Sequence, residues 1–499
     1  MKKNIIANFF GRFWSVLSNF IFVPLYINLL GLESYSLISF TLVLNGIMAM
    51  MDAGLTATLS REFASSNNSV YEKLRIYKTL ETCYFIIAAL VIVLLLFSSE
   101  LIAFRWLNLE KITSDEVSFY LHIISIEIGF RLLSNFYSGG FIGLEKQIKS
   151  NMYQVAYGVV RNGFVLMPIF FYPSLRVFFI WQATTTILYV VFIRFDLSYT
   201  LTQSFSLFFK KPRIEKEVIY RIWKFAGGMM LISTVAGLNT QMDKLALSKL
   251  LPIEVLGIYT LAFALAKGLG ILSSPVSVAI LPRMTALFTA GNKLKAVEIF
   301  NKGYLLVSIV IFSFAASMIF FAKELIWVWT NDVHLAEKAS VFVPWIAMGT
   351  AFLSLGNLPY NVAIANGYTK YNNILGISSL VITLPGYWLL TNIYGGIGAA
   401  ITFSFVQVIV VIIFLHIVNK KFMQLSIKII FFRNFILPIL ISGFVTFMIN
   451  NAIIFEGNRL TVLLKIGFTV ACTLATNILI LYPTKSLLKQ FLKIKNKFT

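Results

Sequence analysis

FTLVLNGIMAMMDAGLTATLSR, residues 40–61, is an apolar run with one carboxylate, Asp52, set inside it. At ~1.5 Å per residue, a helix of about 20 residues crosses the hydrocarbon of a bilayer. The run closes on Arg61-Glu62 and the polar stretch 65–69. An acid inside a span is costly, so Asp52 is a candidate functional residue from the outset. Runs of the same kind recur along the whole chain, and they decide the fold class.

The 499 residues are 58% hydrophobic and only 13% charged, with mean hydropathy +0.82. A soluble domain needs more charge than this to cover its surface. Backbone in lipid must satisfy its own hydrogen bonds, and runs of this length do so as helices. The short alternating strands of an outer-membrane barrel are missing. A net charge of +21 would suggest nucleic acid in a soluble domain, but here the cations sit in short loops, where they orient a membrane protein. No nucleic-acid partner is expected. The basic N-terminus lacks a small-residue cleavage site and reads as a retained first span. Cys83 and Cys472 fall in spans and read as packing residues.

Fourteen spans are expected: 6–30, 36–59, 80–99, 117–139, 152–172, 175–194, 223–248, 256–281, 302–322, 341–364, 372–392, 395–417, 430–451 and 460–482. Alternating the loops puts 29 Lys and Arg on one side and 7 on the other. The richer side is therefore cytoplasmic, and both termini lie there. The longest connection, 195–222, is basic and reads as an orienting linker that also touches anionic lipid. An all-α polytopic membrane protein is the expected fold class. Its expected parts are an N-terminal six-helix bundle (1–194), the linker (195–222), a second six-helix bundle (223–417), and two further helices with a basic cytoplasmic tail (418–499).

The two bundles read as a duplication. LLGLESYSLISFTL at 29–42 resembles LLPIEVLGIYTLAF at 250–263, with Glu33 matching Glu254. Arg61 matches Arg283, and GLEKQIKSN at 143–151 matches NGYTKYNN at 366–373. An even number of spans per repeat keeps both halves in one orientation. They are then related by a pseudo-twofold axis along the membrane normal, with a cavity between them. The position aligned with Asp52 falls near Ser273-Ser274, without an acid.

Eight charges are expected within spans: Arg12, Asp52, Glu127, Arg131, Arg161, Asp243, Lys244 and Lys267. Facing lipid, all eight together would cost on the order of 20 kcal/mol, so they face protein or water. Arg12 and Asp52 fall at similar depth on consecutive helices and can pair. Glu127 and Arg131 have the (i, i+4) acid-before-base spacing of an ion pair. Arg161 and Lys267 fall near mid-membrane, one in each half. Five cations against three acids leave a positive interior suited to an anionic, phosphate-bearing substrate. Asp52, Glu127 and Asp243 are the candidate proton or sodium groups, since a desolvated carboxylate holds its proton more tightly. Each has a simpler reading as a structural pair or an interfacial anchor. His122, His334 and His416 lack ligand spacing, and no metal is expected. No Walker motif is present, so energy comes from an ion gradient or from the substrate's own gradient.

The stretches LLGLESYSLISF and MDAGLTATLSREFA resemble the start of Wzx-type polysaccharide exporters, the O-antigen flippases. These form part of the multidrug/oligosaccharidyl-lipid/polysaccharide exporter superfamily. Ser36-Leu37 departs from the family, which often has a glycine after the aromatic. The resemblance implies a non-enzymatic transporter of the bacterial inner membrane. Such a protein moves undecaprenyl-pyrophosphate-linked oligosaccharide repeat units to the periplasmic leaflet by alternating access. Membrane lipids, a polysaccharide polymerase and a chain-length regulator are the implied partners. No cofactor is implied beyond H+ or Na+ as coupling ion. On this reading Arg161, Lys267, Arg12 and Arg131 meet the anionic head, the lipid tail runs along the last two spans, and Asp52 couples or gates. The rival readings are a multidrug exporter of the same fold and a polytopic enzyme. The first prefers an acidic cavity, and the second needs a large outer loop.

Overall fold

The computed structural model describes residues 18, 20–52, 54–65, 69–203, 213–368, 370–426, 430–453 and 457–481, with backbone alone at 278 and 370–373. Arg12, the middle of the linker at 204–212 and the basic tail at 482–499 lie outside the described residues. Within them every regular element is a helix, as the closure of backbone hydrogen bonds in lipid requires. Among the described residues eleven helices are long and apolar enough to cross a membrane, or twelve if the bent pair Val333–Ser340 and Val343–Ala365 is one span. The protein is thus a multi-pass membrane protein, but fourteen spans are not reached by this measure. The first expected span is described as a helix only over Phe20–Leu30. The seventh is helix Lys216–Leu250, which carries Asn239-Thr240-Gln241, Asp243 and Lys244 and is too polar to qualify.

In order, the helices are α1 (Phe20–Leu30), α2 (Leu32–Met48), α3 (Leu55–Ala64), α4 (Val70–Leu101), α5 (Ser114–Gly143), α6 (Gln147–Gly158), α7 (Leu166–Phe171), α8 (Leu175–Thr202), α9 (Lys216–Leu250) and α10 (Ile253–Ala266). They continue as α11 (Gly268–Thr289), α12 (Lys293–Phe320), α13 (Ala322–Thr330), α14 (Val333–Ser340), α15 (Val343–Ala365), α16 (Lys370–Tyr394), α17 (Gly396–Val418), α18 (Leu437–Ala452) and α19 (Arg459–Leu481). Two compact units result, one of residues 1–260 with 376–399, the other of 261–375 with 400–499.

In the first unit α5 is the central helix and packs on α3, α4 and α8. Helix α9 is fastened to this unit at both ends. At its start, Arg75 pairs with Glu215 and Glu217, and Arg221 pairs with Glu62 and Glu72. At its far end, the segment after α4 clasps the turn between α9 and α10. Trp106 Nε1 donates to Ser248 Oγ at 3.0 Å, and Asn108 Nδ2 donates to the carbonyls of Lys249 and Leu251 at 3.0 and 3.3 Å. The backbone N–H of Ile253 donates to Asn108 O at 2.9 Å.

The sequence echo is a physical contact. Thr260 Oγ1 donates to Ser39 Oγ at 3.0 Å across a separation of 221 residues. Ser36 and Gly257 stand the same distance apart in sequence, as do Glu33 and Glu254. A Cβ at position 257 would lie 2.0 Å from Ser36 Oγ and 2.9 Å from Ser36 Cβ. Positions matched in the repeat thus touch one another where α2 crosses the first turns of α10. One loop then takes both repeat-related carboxylates. Glu33 accepts the backbone N–H groups of Glu110 and Lys111, each at 2.8 Å, and Lys111 Nζ reaches Glu254 at 3.2 Å.

In the second unit α12 packs on α11, α15, α18 and α19. Asn477 Nδ2 donates to Ser442 Oγ at 2.9 Å and to Ser313 Oγ at 3.3 Å, a polar tie that fixes the last two helices on α12.

Gly257→Ala should lower the melting temperature in detergent, by an overpacking cost of about 1–3 kcal/mol. Ser36→Gly in the same chain should restore it. An unchanged melting temperature for the single variant would remove this contact from the packing.

Candidate functional site

Helices α2 and α5 line an open cavity of about 290 Å³ in the first unit. Each side offers one stripe: Leu42, Asn45 and Gly46 from α2 with Ala49 just beyond its end, and Ile128, Arg131, Leu132 and Asn135 from α5. The walls mix apolar side chains with polar groups in comparable measure. The polar groups are one guanidinium and two amides, a set suited to an anion carrying hydroxyl-rich groups. Arg131 keeps 32% of its side chain exposed, whereas Glu127, one turn earlier, is 5% exposed.

Glu127 is shared. Its Oε1 meets Arg131 NH1 at 3.5 Å and Arg161 NH2 at 3.0 Å. The (i, i+4) pair expected from sequence is therefore the looser of two. Arg161 is largely buried, does not line the cavity, and also donates to Asn162 Oδ1 at 3.1 Å. It sits on a π turn, Val159–Gly163, closed by Phe164 N–H to Val159 O at 3.1 Å. A π turn breaks the regular i→i+4 ladder and needs outside support. Side chains supply it at three successive carbonyls. Trp181 Nε1 donates to Val160 O at 3.0 Å, Gln182 Nε2 to Arg161 O at 3.1 Å, and Tyr26 Oη to Asn162 O.

Asp52 ends the 3-10 turn Ala49–Asp52, where α2 breaks before α3. The expected unbroken span 36–59 is thus two helices. Gly54 makes the break at φ +70°, and a Cβ there would meet the Ala226 carbonyl of α9 at 2.6 Å, so only glycine fits. Asp52 Oδ1 accepts from Thr56 Oγ1 and Tyr84 Oη, which lie 3.1 Å apart. The expected partner Arg12 lies outside the described residues. Asp243 is buried between Lys244 Nζ at 3.0 Å and Tyr259 Oη at 2.9 Å. Lys267 is exposed at the junction of α10 and α11 in the second unit.

The structure thus joins Glu127, Arg131 and Arg161 and keeps Asp52 and Asp243 in separate settings. Sequence reasoning missed Asn45 and Asn135, the three caps of the π turn, and a further buried carboxylate. Glu81 is 3% exposed and held by Lys78 at 3.0 Å, Arg194 at 2.9 Å, and the hydroxyls of Tyr77 and Tyr137. Its position in the first turn of an expected span, with Lys78 and Tyr77 one turn before it, was the available signal.

Comparison with known proteins adds two family matches. The model of the polysaccharide biosynthesis protein family matches residues 1–288, and the MatE model matches residues 226–389. A putative O-antigen transporter of Shigella flexneri is 19% identical, over 81% of this chain and 94% of that protein. The lipid II flippase MurJ in an inward closed conformation has the same fold, with TM-score 0.74 at 17% identity, over 98% of this chain and 100% of that one. An inward-facing multidrug resistance transporter of the MATE family has TM-score 0.63 at 14% identity, over 84% and 95%.

Lys244→Met should destabilise the protein by about 3–5 kcal/mol, because it leaves Asp243 buried without its cation. Adding Asp243→Asn should recover most of the lost melting temperature. If the single variant melts like the parent, the pair of Lys244 with Asp243 does not contribute to stability.

Proposed function

The chain belongs to the polysaccharide biosynthesis protein family, and from that premise we propose that it is a flippase for undecaprenyl-pyrophosphate-linked oligosaccharide repeat units. It carries them from the cytoplasmic to the periplasmic leaflet of a bacterial inner membrane by alternating access, with both termini cytoplasmic. The observation that supports this reading is the cavity between α2 and α5, with Arg131 facing in beside Asn45 and Asn135. A guanidinium binds phosphate oxygens in a fork, and flanking amides suit sugar hydroxyls. The pyrophosphate is assigned to Arg131. Arg12 and Lys267 are further candidates for the anionic head. Coupling to H+ or Na+ is assigned to Asp52, whose described partners are two hydroxyls and no cation. A polymerase and a chain-length regulator would take the product onward.

The match of the MatE family to residues 226–389 favours a second reading, export of organic cations by the same fold. An arginine in the cavity works against it, since a cation would meet like charge there.

Purified protein in nanodiscs should bind undecaprenyl-pyrophosphate-linked sugar and ignore cationic dyes. Arg131→Gln should weaken that binding about 10-fold or more, the worth of one charge-assisted hydrogen bond. Tight dye binding with no affinity for the lipid-linked sugar would overturn the proposal in favour of multidrug export. In cells, deletion should abolish surface polysaccharide and accumulate single lipid-linked repeat units.

A further inference from the structure

We infer that Arg161 is a positioning residue, which neutralises Glu127 so that Arg131 faces the cavity with its charge uncancelled. This rests on the assignment of the anionic head to Arg131. Glu127 is buried in an apolar bundle and must be offset by a cation. Left to its own helix it would take Arg131, four residues on, and the cavity would then hold a neutral pair. Arg161 arrives from another helix and binds the same oxygen more closely, at 3.0 Å against 3.5 Å. The three groups together carry one net positive charge. The exposures divide the roles, since the Arg161 side chain is 12% exposed and Arg131 is 32% exposed.

The setting of Arg161 is built for this task. The extra residue of a π turn rotates the succeeding residues by about 100°, one residue's share of a helical turn. That irregularity is held by Trp181, Gln182 and Tyr26, each on a different carbonyl. Three supports from two helices would be superfluous for a cation that merely had to be buried. They fix where the guanidinium points, and it points at Glu127.

The test measures binding of undecaprenyl pyrophosphate to the full chain in nanodiscs. Arg161→Gln should weaken binding about 10-fold, because Glu127 then falls back on Arg131. The double variant Glu127→Gln with Arg161→Gln should return to within about twofold of the parent, since Arg131 is again uncancelled. A folded double variant as weak as Arg161→Gln alone would overturn the inference and make Arg161 a direct ligand. Should Arg161→Gln fail to fold, Glu127→Gln alone decides: affinity at or above the parent supports the inference, and a 10-fold loss refutes it. Arg131→Gln separates the two proposals. If it binds like the parent, the assignment of the head to Arg131 is what fails.

Discussion

A carboxylate in an apolar helix bundle cannot be left ionised alone, and Glu127 carries that constraint into the centre of the first unit. One oxygen is met by two guanidinium groups from different helices. The pairing ties α5 to the π turn after α6 and decides which arginine is left for the cavity. The same constraint is met differently at each buried acid. Glu81 draws on a lysine, an arginine and two tyrosines. Asp243 uses the adjacent lysine and Tyr259, and Glu33 uses backbone N–H groups. Asp52 stands apart, with hydroxyl donors as its described partners. A hydroxyl offers a carboxylate a hydrogen bond without a compensating charge, so this site differs in kind from the ion pairs.

Much of this was legible in the residues and some was not. The apolar runs announced helices because lipid leaves the backbone no other economical choice. Hydropathy alone does not reach fourteen spans, since α9 is polar through 239–244, where it packs against α2. Gly46 of α2 meets Gln241 there. Charge pairing was illegible for a different reason. Spacing along one helix pointed to Glu127 and Arg131, but the closer partner lies 34 residues away, on a turn whose extra residue no periodicity reveals. The count of five interior cations against three acids treated the charges as a pool. The structure distributes them pair by pair, and a fourth acid, Glu81, belongs among them.

The duplication is where sequence and structure meet most directly. The separation of 221 residues that aligns Glu33 with Glu254 is the separation of the bonded pair Ser39 and Thr260. A register kept to the residue over that distance needs a cause, and contact supplies one. Here two helices touch through matched positions, so enlarging one position obliges its partner to give way. Ser36, Gly257, Ser39 and Thr260 are all small, as a close crossing in a membrane requires.

Away from the crossing the same register records divergence. Gly46, which lines the cavity, aligns with Lys267, and Asp52 aligns with Ser273. Gly54, which breaks the helix in the first half, aligns with Pro275, which lies inside the unbroken helix α11. Neither the break nor the charges are repeated at the matched positions. A duplicated scaffold with identical charges on both sides would offer a substrate two equivalent seats. One whose halves differ in charge at matched positions presents different groups on its two sides. That asymmetry lets the two halves play different parts. In this chain it lies away from the crossing of α2 with α10, at positions 46, 52 and 54 and their matches 267, 273 and 275.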